Sequence, residues 1–249
     1  MTDGPVTESP VPESAVSGEA VLLEVRDLTV HHGQLRALHG VSLAVAPGEV
    51  YAMIGANGAG KSTLLRSIAG LHKPTSGSIL LDGQDLARLR PEKRVAAGIV
   101  MVPEGRRLFP SLTVEENLMV GRRALGKSDM PEKVLALFPV LKTMLRRRGG
   151  DLSGGQQQQL AMGRALALDP KLLILDEPTE GIQPNIVAEI GDVISRLSEE
   201  GVTVLFVEQK LAFARRVARS FVILDRGHAV ADGAIGELTD DLVRRHLTV

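Results

Sequence analysis

Apolar residues recur along this chain with three different spacings, and each spacing predicts a different element. Over residues 21–30 and again over 37–45 they fall mostly on alternate positions. Alternation of that kind predicts half-buried antiparallel strands. Runs at 50–54, 99–102, 172–175 and 202–207 are short and continuously apolar, with helical patterns between them. Such runs predict parallel strands buried on both faces. Residues 79–83 read as a strand ending in a turn, and residues 221–230 as a hairpin turning at Asp225 to Gly227 and followed by a short helix.

Helical spacing appears at Leu64, Leu65 and Ile68, just after the first continuous run. Residues 113–118 read as a helix start, and 131–145 as a helix with apolar positions 134, 135, 137, 138 and 141. Together these place a mostly helical insertion at about residues 108–165. A further amphipathic helix is expected at 211–219, with Leu211, Ala212, Ala214, Val217 and Ala218 inward and Arg215, Arg216 and Arg219 outward.

Composition narrows the class. The 249 residues suffice for one large α/β domain, or one with an inserted subdomain. Residues 1–20 carry three prolines and four acids, no Lys or Arg and no apolar period, and read as a disordered tail. With 29 basic against 30 acidic residues, charge calls for neither nucleic acid nor an acidic membrane surface. The absence of Cys removes disulfides and thiolate chemistry. No apolar run approaches the length needed to cross a bilayer and the start does not read as a signal peptide, so the expectation is a soluble chain.

Candidate chemistry begins at Gly55-Ala56-Asn57-Gly58-Ala59-Gly60-Lys61-Ser62-Thr63, which fits G-x-x-x-x-G-K-[ST] between a buried strand and a helix. Glycines let the backbone approach an anion, successive N–H groups point inward, and the helix start adds partial positive charge. Lys61 is placed to reach the outer phosphates, and Ser62 to put its hydroxyl on a bridging Mg²⁺. Downstream, the strand at 172–175 runs into Asp176 and Glu177, at the end of a parallel strand where ligands bind. Asp176 suits a metal, and Glu177 suits the deprotonation of an attacking water.

Between these lies Leu152-Ser153-Gly154-Gly155-Gln156, a second anion-binding helix start. In register with the other two motifs, this LSGGQ sequence resembles the signature of ATP-binding-cassette (ABC) ATPases over residues 21–249. The resemblance implies a P-loop NTPase (RecA-like) α/β core with an N-terminal antiparallel β-subdomain and an inserted helical subdomain. It implies ATP and Mg²⁺ as ligands, with Ser62, Asp176 and Glu104 around the metal, and Glu177, Lys61 and Gln209 as the hydrolytic residues. It also implies that Ser153, Gly154, Gly155 and Gln156 complete the nucleotide site of a partner subunit.

A closer resemblance, carried by residues 102–118 and by Val207-Glu208-Gln209, is to ATPase subunits of importers for branched-chain amino acids and their urea or short-amide relatives. Residues 177–184 look more like the urea branch. The implied assembly is this chain with a second ABC ATPase, different in kind or a second copy, two multi-spanning permeases and an extracytoplasmic substrate-binding protein, at the cytoplasmic face of the plasma membrane. Nucleic acid is not an expected partner. An ABC exporter and a non-transport ABC ATPase are the alternatives.

Against the general family pattern, Glu104 replaces a Gln, Gln209 a His and Gln183 an Asp, while His32 takes the place of the aromatic residue that stacks on adenine. A carboxylate can still meet a metal but cannot donate, and an amide donates without charge. These departures predict two composite sites of unequal turnover. Arg106-Arg107 and Arg146–Arg148 read as solvated faces, with contact to a membrane subunit as the sharper alternative. His31, His39, His72, His228 and His246 show no metal-ligand spacing and read as scattered surface residues.

Overall fold

The computed structural model describes residues 20–247. The tail expected at 1–20 therefore lies outside the described residues, apart from Ala20. In chain order come β1 (Leu23–His32), β2 (Leu35–Val45), β3 (Val50–Ile54), α1 (Lys61–Ile68), β4 (Ser76–Leu81), β5 (Gln84–Asp85), α2 (Pro91–Ala96) and β6 (Ile99–Val102). They are followed by α3 (Val114–Ala124), α4 (Glu132–Leu137), α5 (Pro139–Thr143), α6 (Gly154–Leu166), β7 (Leu172–Asp176) and α7 (Pro184–Glu199). The chain closes through β8 (Thr203–Val207), α8 (Leu211–Val217), β9 (Ser220–Asp225), β10 (His228–Ala234) and α9 (Asp240–Leu247).

Two sheets result. The antiparallel one runs β2-β1-β4-β5, with Leu23 opposite Val45 on one side and Leu81 on the other. The larger runs β10-β9-β3-β8-β7-β6 and is parallel except for β10, which pairs with β9 through a tight turn.

The continuous apolar runs are explained by two cores, one on each face of the parallel sheet. In β3, Val50, Ala52 and Ile54 face one core while Tyr51 and Met53 face the other; in β8, Val204 and Phe206 alternate with Leu205 and Val207. Because both faces are covered, the middle positions of these strands are apolar, and polar residues enter only at their ends, as Thr203 and Asp176 do. The second core places Leu64, Leu65 and Ile68 of α1 together with Leu23, Val25 and Leu28 of β1. This holds the start of α1 rigidly at the ends of β3 and β7.

Between β6 and β7 stand α3 to α6. Thr113 and Glu116 cap α3 reciprocally, each side chain taking the other's backbone N–H. The single helix expected at 131–145 is instead two, broken where Phe138 takes φ −126° and ψ 74° before Pro139. Proline excludes the helical region for the residue preceding it and offers no N–H to continue the ladder. The helix expected at 211–219 stops at Val217, because Ala218 is extended and the Arg219 N–H joins the sheet through the Val50 carbonyl. Its buried face uses Phe213, Ala214 and Val217, while Ala212, expected inward, is exposed.

Candidate nucleotide site

β3 ends at a loop that only small residues can form. A Cβ on Gly55 would stand 2.4 Å from the Leu224 carbonyl oxygen, and one on Gly60 would stand 2.7 Å from Leu38 Cδ2. Gly58 and Gly60 also adopt φ of 80° and 104°, in the left-handed region that favours glycine. α1 then starts with no side-chain cap and no acid in its first turn. Its end is thus kept for an external acceptor, as expected of an anion site. Lys61, 5 % exposed, donates from Nζ to the Gly55 and Ala56 carbonyls at 2.8 Å each. Burial lowers its pKa, opposed by the nearby Glu177 and Asp176 charges.

At the end of β7, Asp176 is 3 % exposed and Oδ1 accepts from the Ser62 hydroxyl at 3.2 Å. Its other oxygen, Oδ2, is buried without a hydrogen-bond partner. Burial raises the Asp176 pKa, chiefly opposed by the Ser62 hydrogen bond. A buried carboxylate oxygen with no donor, next to a serine hydroxyl and on the same side as Glu104, is an oxygen-donor set suited to Mg²⁺.

Glu177 adopts φ 50°, a left-handed conformation uncommon outside glycine. Its carboxylate Oε1 accepts from Gln209 Nε2 at 2.7 Å, and the same amide donates to Asn57 Oδ1 at 3.2 Å. Gln209 is held in turn by Glu208, buried at 3 % exposure, which accepts from the Gln209 N–H and from the Thr179 hydroxyl at 2.7 Å. The chain ends after β7 and β8 are thereby tied together. His32 lies across α1, its Nε2 3.2 Å from Thr63 Oγ1 and its ring edge-on to His72 at 4.4 Å.

One cavity of about 830 Å³ brings together His32, Asn57, Gly58, Gly60, Lys61, Ser62, Thr63, Glu104, Glu177 and Gln209. Ser153, Gly154, Gly155 and Gln156 are not in it. They line a separate cavity of about 480 Å³ with Gln183, Ile186 and Glu189. There Ser153 and Gln156 form a capping box at the start of α6. Arg106, expected in a solvated face, instead donates to Gln157 Oε1 at 3.2 Å and lies 3.5 Å from where a Gly154 Cβ would be.

The first cavity also includes Leu35, Arg36, Ala37, His39 and Arg226, none of which the motifs single out, and Glu180 from the stretch at 177–184. Arg226 was visible as the middle of a predicted turn, but that turn's place beside the loop depends on sheet order. The histidines are less scattered than expected. His39 stacks on His228 at 4.4 Å and 20°, and His39 and His72 are half-buried.

A sequence model of the ABC transporter family matches residues 38–180, more than half of the chain. The chain belongs to that family. A curated relative, the high-affinity branched-chain amino acid transport ATP-binding protein BraG of Pseudomonas aeruginosa, is 44 % identical over 90 % of this chain and 97 % of its own length. Among solved structures, an ABC transporter ATP-binding cassette in its ADP conformation superposes with a TM-score of 0.82 at 29 % identity, covering 90 % of this chain and 97 % of that one. A dimeric bacterial ABC transporter cassette gives a TM-score of 0.78 at 26 % identity, covering 86 % and 99 %. The P-loop α/β fold and the ATPase assignment follow from this membership. Among the described residues of this ABC ATPase no helix is long and apolar enough to cross a membrane.

Proposed function

We propose that this ABC ATPase energises the import of branched-chain amino acids, with ATP hydrolysed in composite sites made by two cassettes. The observation that carries the composite site is the separation of the cavities. One chain puts its phosphate loop and carboxylates in one cavity and its Ser153–Gln156 helix start in another. Each lacks what the other supplies, so a second cassette facing this one would complete both.

Within the first cavity the loop amides of Gly55 to Thr63 and Lys61 hold the phosphates. Lys61 leaves its two loop carbonyls to do so, and its depressed pKa reflects the burial from which the substrate's charge rescues it. Ser62, Asp176 and Glu104 would hold Mg²⁺ through their oxygens, and the ion would supply positive charge against that developing on the terminal phosphates. Glu177 takes the proton of the attacking water, and Gln209 orients Glu177 by its 2.7 Å hydrogen bond. His32 meets the adenine. Gln209 donates without carrying charge and Glu104 cannot donate when ionised, so the site built on this loop turns over more slowly than one retaining the commoner Gln and His. That inequality favours a different ATPase as the partner over a second copy.

The substrate reading rests on the name of the relative that is 44 % identical. Residues 177–184, which resemble the urea branch, support urea or a short amide as the second reading. The chain sits peripherally at the cytoplasmic face of the plasma membrane, bound to two permeases and served by an extracytoplasmic binding protein. Reconstitution of that assembly in liposomes tests the proposal. ATP-dependent uptake of leucine, isoleucine or valine that Glu177→Gln abolishes is expected. Uptake of urea or acetamide with no branched-chain amino acid uptake would give the substrate to the second reading, and co-purification without a binding protein would point to export.

A further inference from the structure

Arg226 sits on the wall of the nucleotide cavity with a side chain that nothing among the described residues uses. It is exposed and makes no hydrogen bond or ion pair among the described residues. Its neighbour in the cavity, Arg36, is turned to Thr29, donating to Oγ1 at 3.1 Å. Of the two arginines that line this side of the cavity, Arg226 is thus the one whose guanidinium has no hydrogen-bond partner among the described residues.

Its backbone is fixed in relation to the phosphate loop. Arg226 and Gly227 form the two-residue turn between β9 and β10, with φ of 45° and 81°. The Gly227 N–H donates to the Ala59 carbonyl at 2.9 Å, and its carbonyl accepts from the His39 N–H at 2.9 Å. A Cβ on Gly227 would stand 2.5 Å from the Ala37 carbonyl oxygen, so the turn is wedged between β2 and the loop. Two left-handed residues in succession favour Asn-Gly or Gly-Gly, and an arginine in the first place carries a conformational cost without any local benefit. A strained residue with an unused charge, aimed into a binding cavity, has its return in the ligand.

The cavity's ends are already defined. In the proposed site, Lys61, Ser62, Glu104, Glu177 and Gln209 meet the terminal phosphates and the metal, and His32 meets the base. The turn abuts Ala59 and Gly60 between them: Gly227 Cα lies 3.5 Å from where a Gly60 Cβ would be. We propose that Arg226 binds the α-phosphate of the nucleotide, holding the part that ATP and ADP share. The proposal rests on the nucleotide-site reading above.

The test measures binding of ATP and of ADP, each with Mg²⁺, to the full chain and to Arg226→Gly and Arg226→Lys. Arg226→Gly relieves the backbone, so its thermal midpoint without nucleotide should equal or exceed that of the unaltered chain. Its affinity should fall about tenfold for ATP and ADP alike, with Arg226→Lys between the two, as expected for the loss of one charge-assisted contact. Unchanged affinity, or a loss confined to ATP, would overturn the assignment. An unaltered chain that bound neither nucleotide would overturn the site reading itself.

Discussion

The side-chain amide of Gln209 donates to the carboxylate of Glu177 at 2.7 Å while also reaching Asn57 of the phosphate loop. The bond ties the assigned base to the loop it serves. Replacing Glu177 with Gln should slow hydrolysis by about 10²- to 10⁴-fold and leave nucleotide binding intact. Gln209→Ala removes only the orienting donor, so kcat should fall on the order of tenfold with KM little changed. Steady-state hydrolysis and equilibrium binding, measured side by side, check both; an equal loss of binding would mean that Gln209 acts on the loop rather than on Glu177.

Asp176 is expected to trade stability for function. Its buried Oδ2 has no donor, so the carboxylate is a cost to the folded chain until a cation arrives. Asp176→Asn should stabilise the nucleotide-free protein by about 1 to 3 kcal/mol. It should also abolish the extra stabilisation that Mg²⁺ adds to bound ATP. Thermal unfolding with and without Mg²⁺ and ATP separates the two effects.

The His39 and His228 stack gives the fold a dependence on acid. Burial, together with the charges of His228, Arg36 and His31, lowers the His39 pKa. The folded chain thus binds this proton less readily than the unfolded chain does. The stability it contributes is complete above the ordinary histidine value and is lost as pH falls through the lowered one. Thermal midpoints from pH 8 down to pH 5 should fall less steeply in His39→Phe than in the unaltered chain.

Gly60→Ala tests the loop's geometry without altering charge. The added methyl meets Leu38 at 2.7 Å and the Ala37 carbonyl oxygen at 3.0 Å, in a residue at φ 104°. Destabilisation of about 1 to 3 kcal/mol is expected from the conformation alone, with nucleotide binding lost in calorimetry even where the chain stays folded.

Much of the architecture was readable from spacing. Unbroken runs such as Leu172–Leu175, short and set between helical patterns, read as strands covered twice, and the loop, the carboxylates and the LSGGQ helix start each carry a backbone requirement written in residue type. What spacing could not show are contacts between distant segments. Asn117 is fully buried in α3, accepting from the Phe109 N–H and donating to the Phe109, Leu112 and Thr113 carbonyls. Buried Arg94 donates to four carbonyls, of Leu86, Leu89, Ser67 and Ile68. Spacing marks neither as buried, because a polar side chain announces its burial only through partners outside its own pattern. The break at Phe138 was legible in principle, since Pro139 forbids the helix, but the apolar pattern on either side ran through it. Arg226 belongs to the same class, placed by the order of strands rather than by any motif.

The separation of the loop cavity from the Ser153–Gln156 cavity has a genetic consequence. On a composite site, damage to Lys61 and damage to Ser153 strike different active centres of the dimer when one subunit carries both, and the same centre when different subunits carry them. In an assembly of two copies, two such alleles, each inactive alone, would pair so that both lesions fall in one centre and leave the other whole. Mutual rescue in a mixed population would then report the arrangement with no structure of the complex at all.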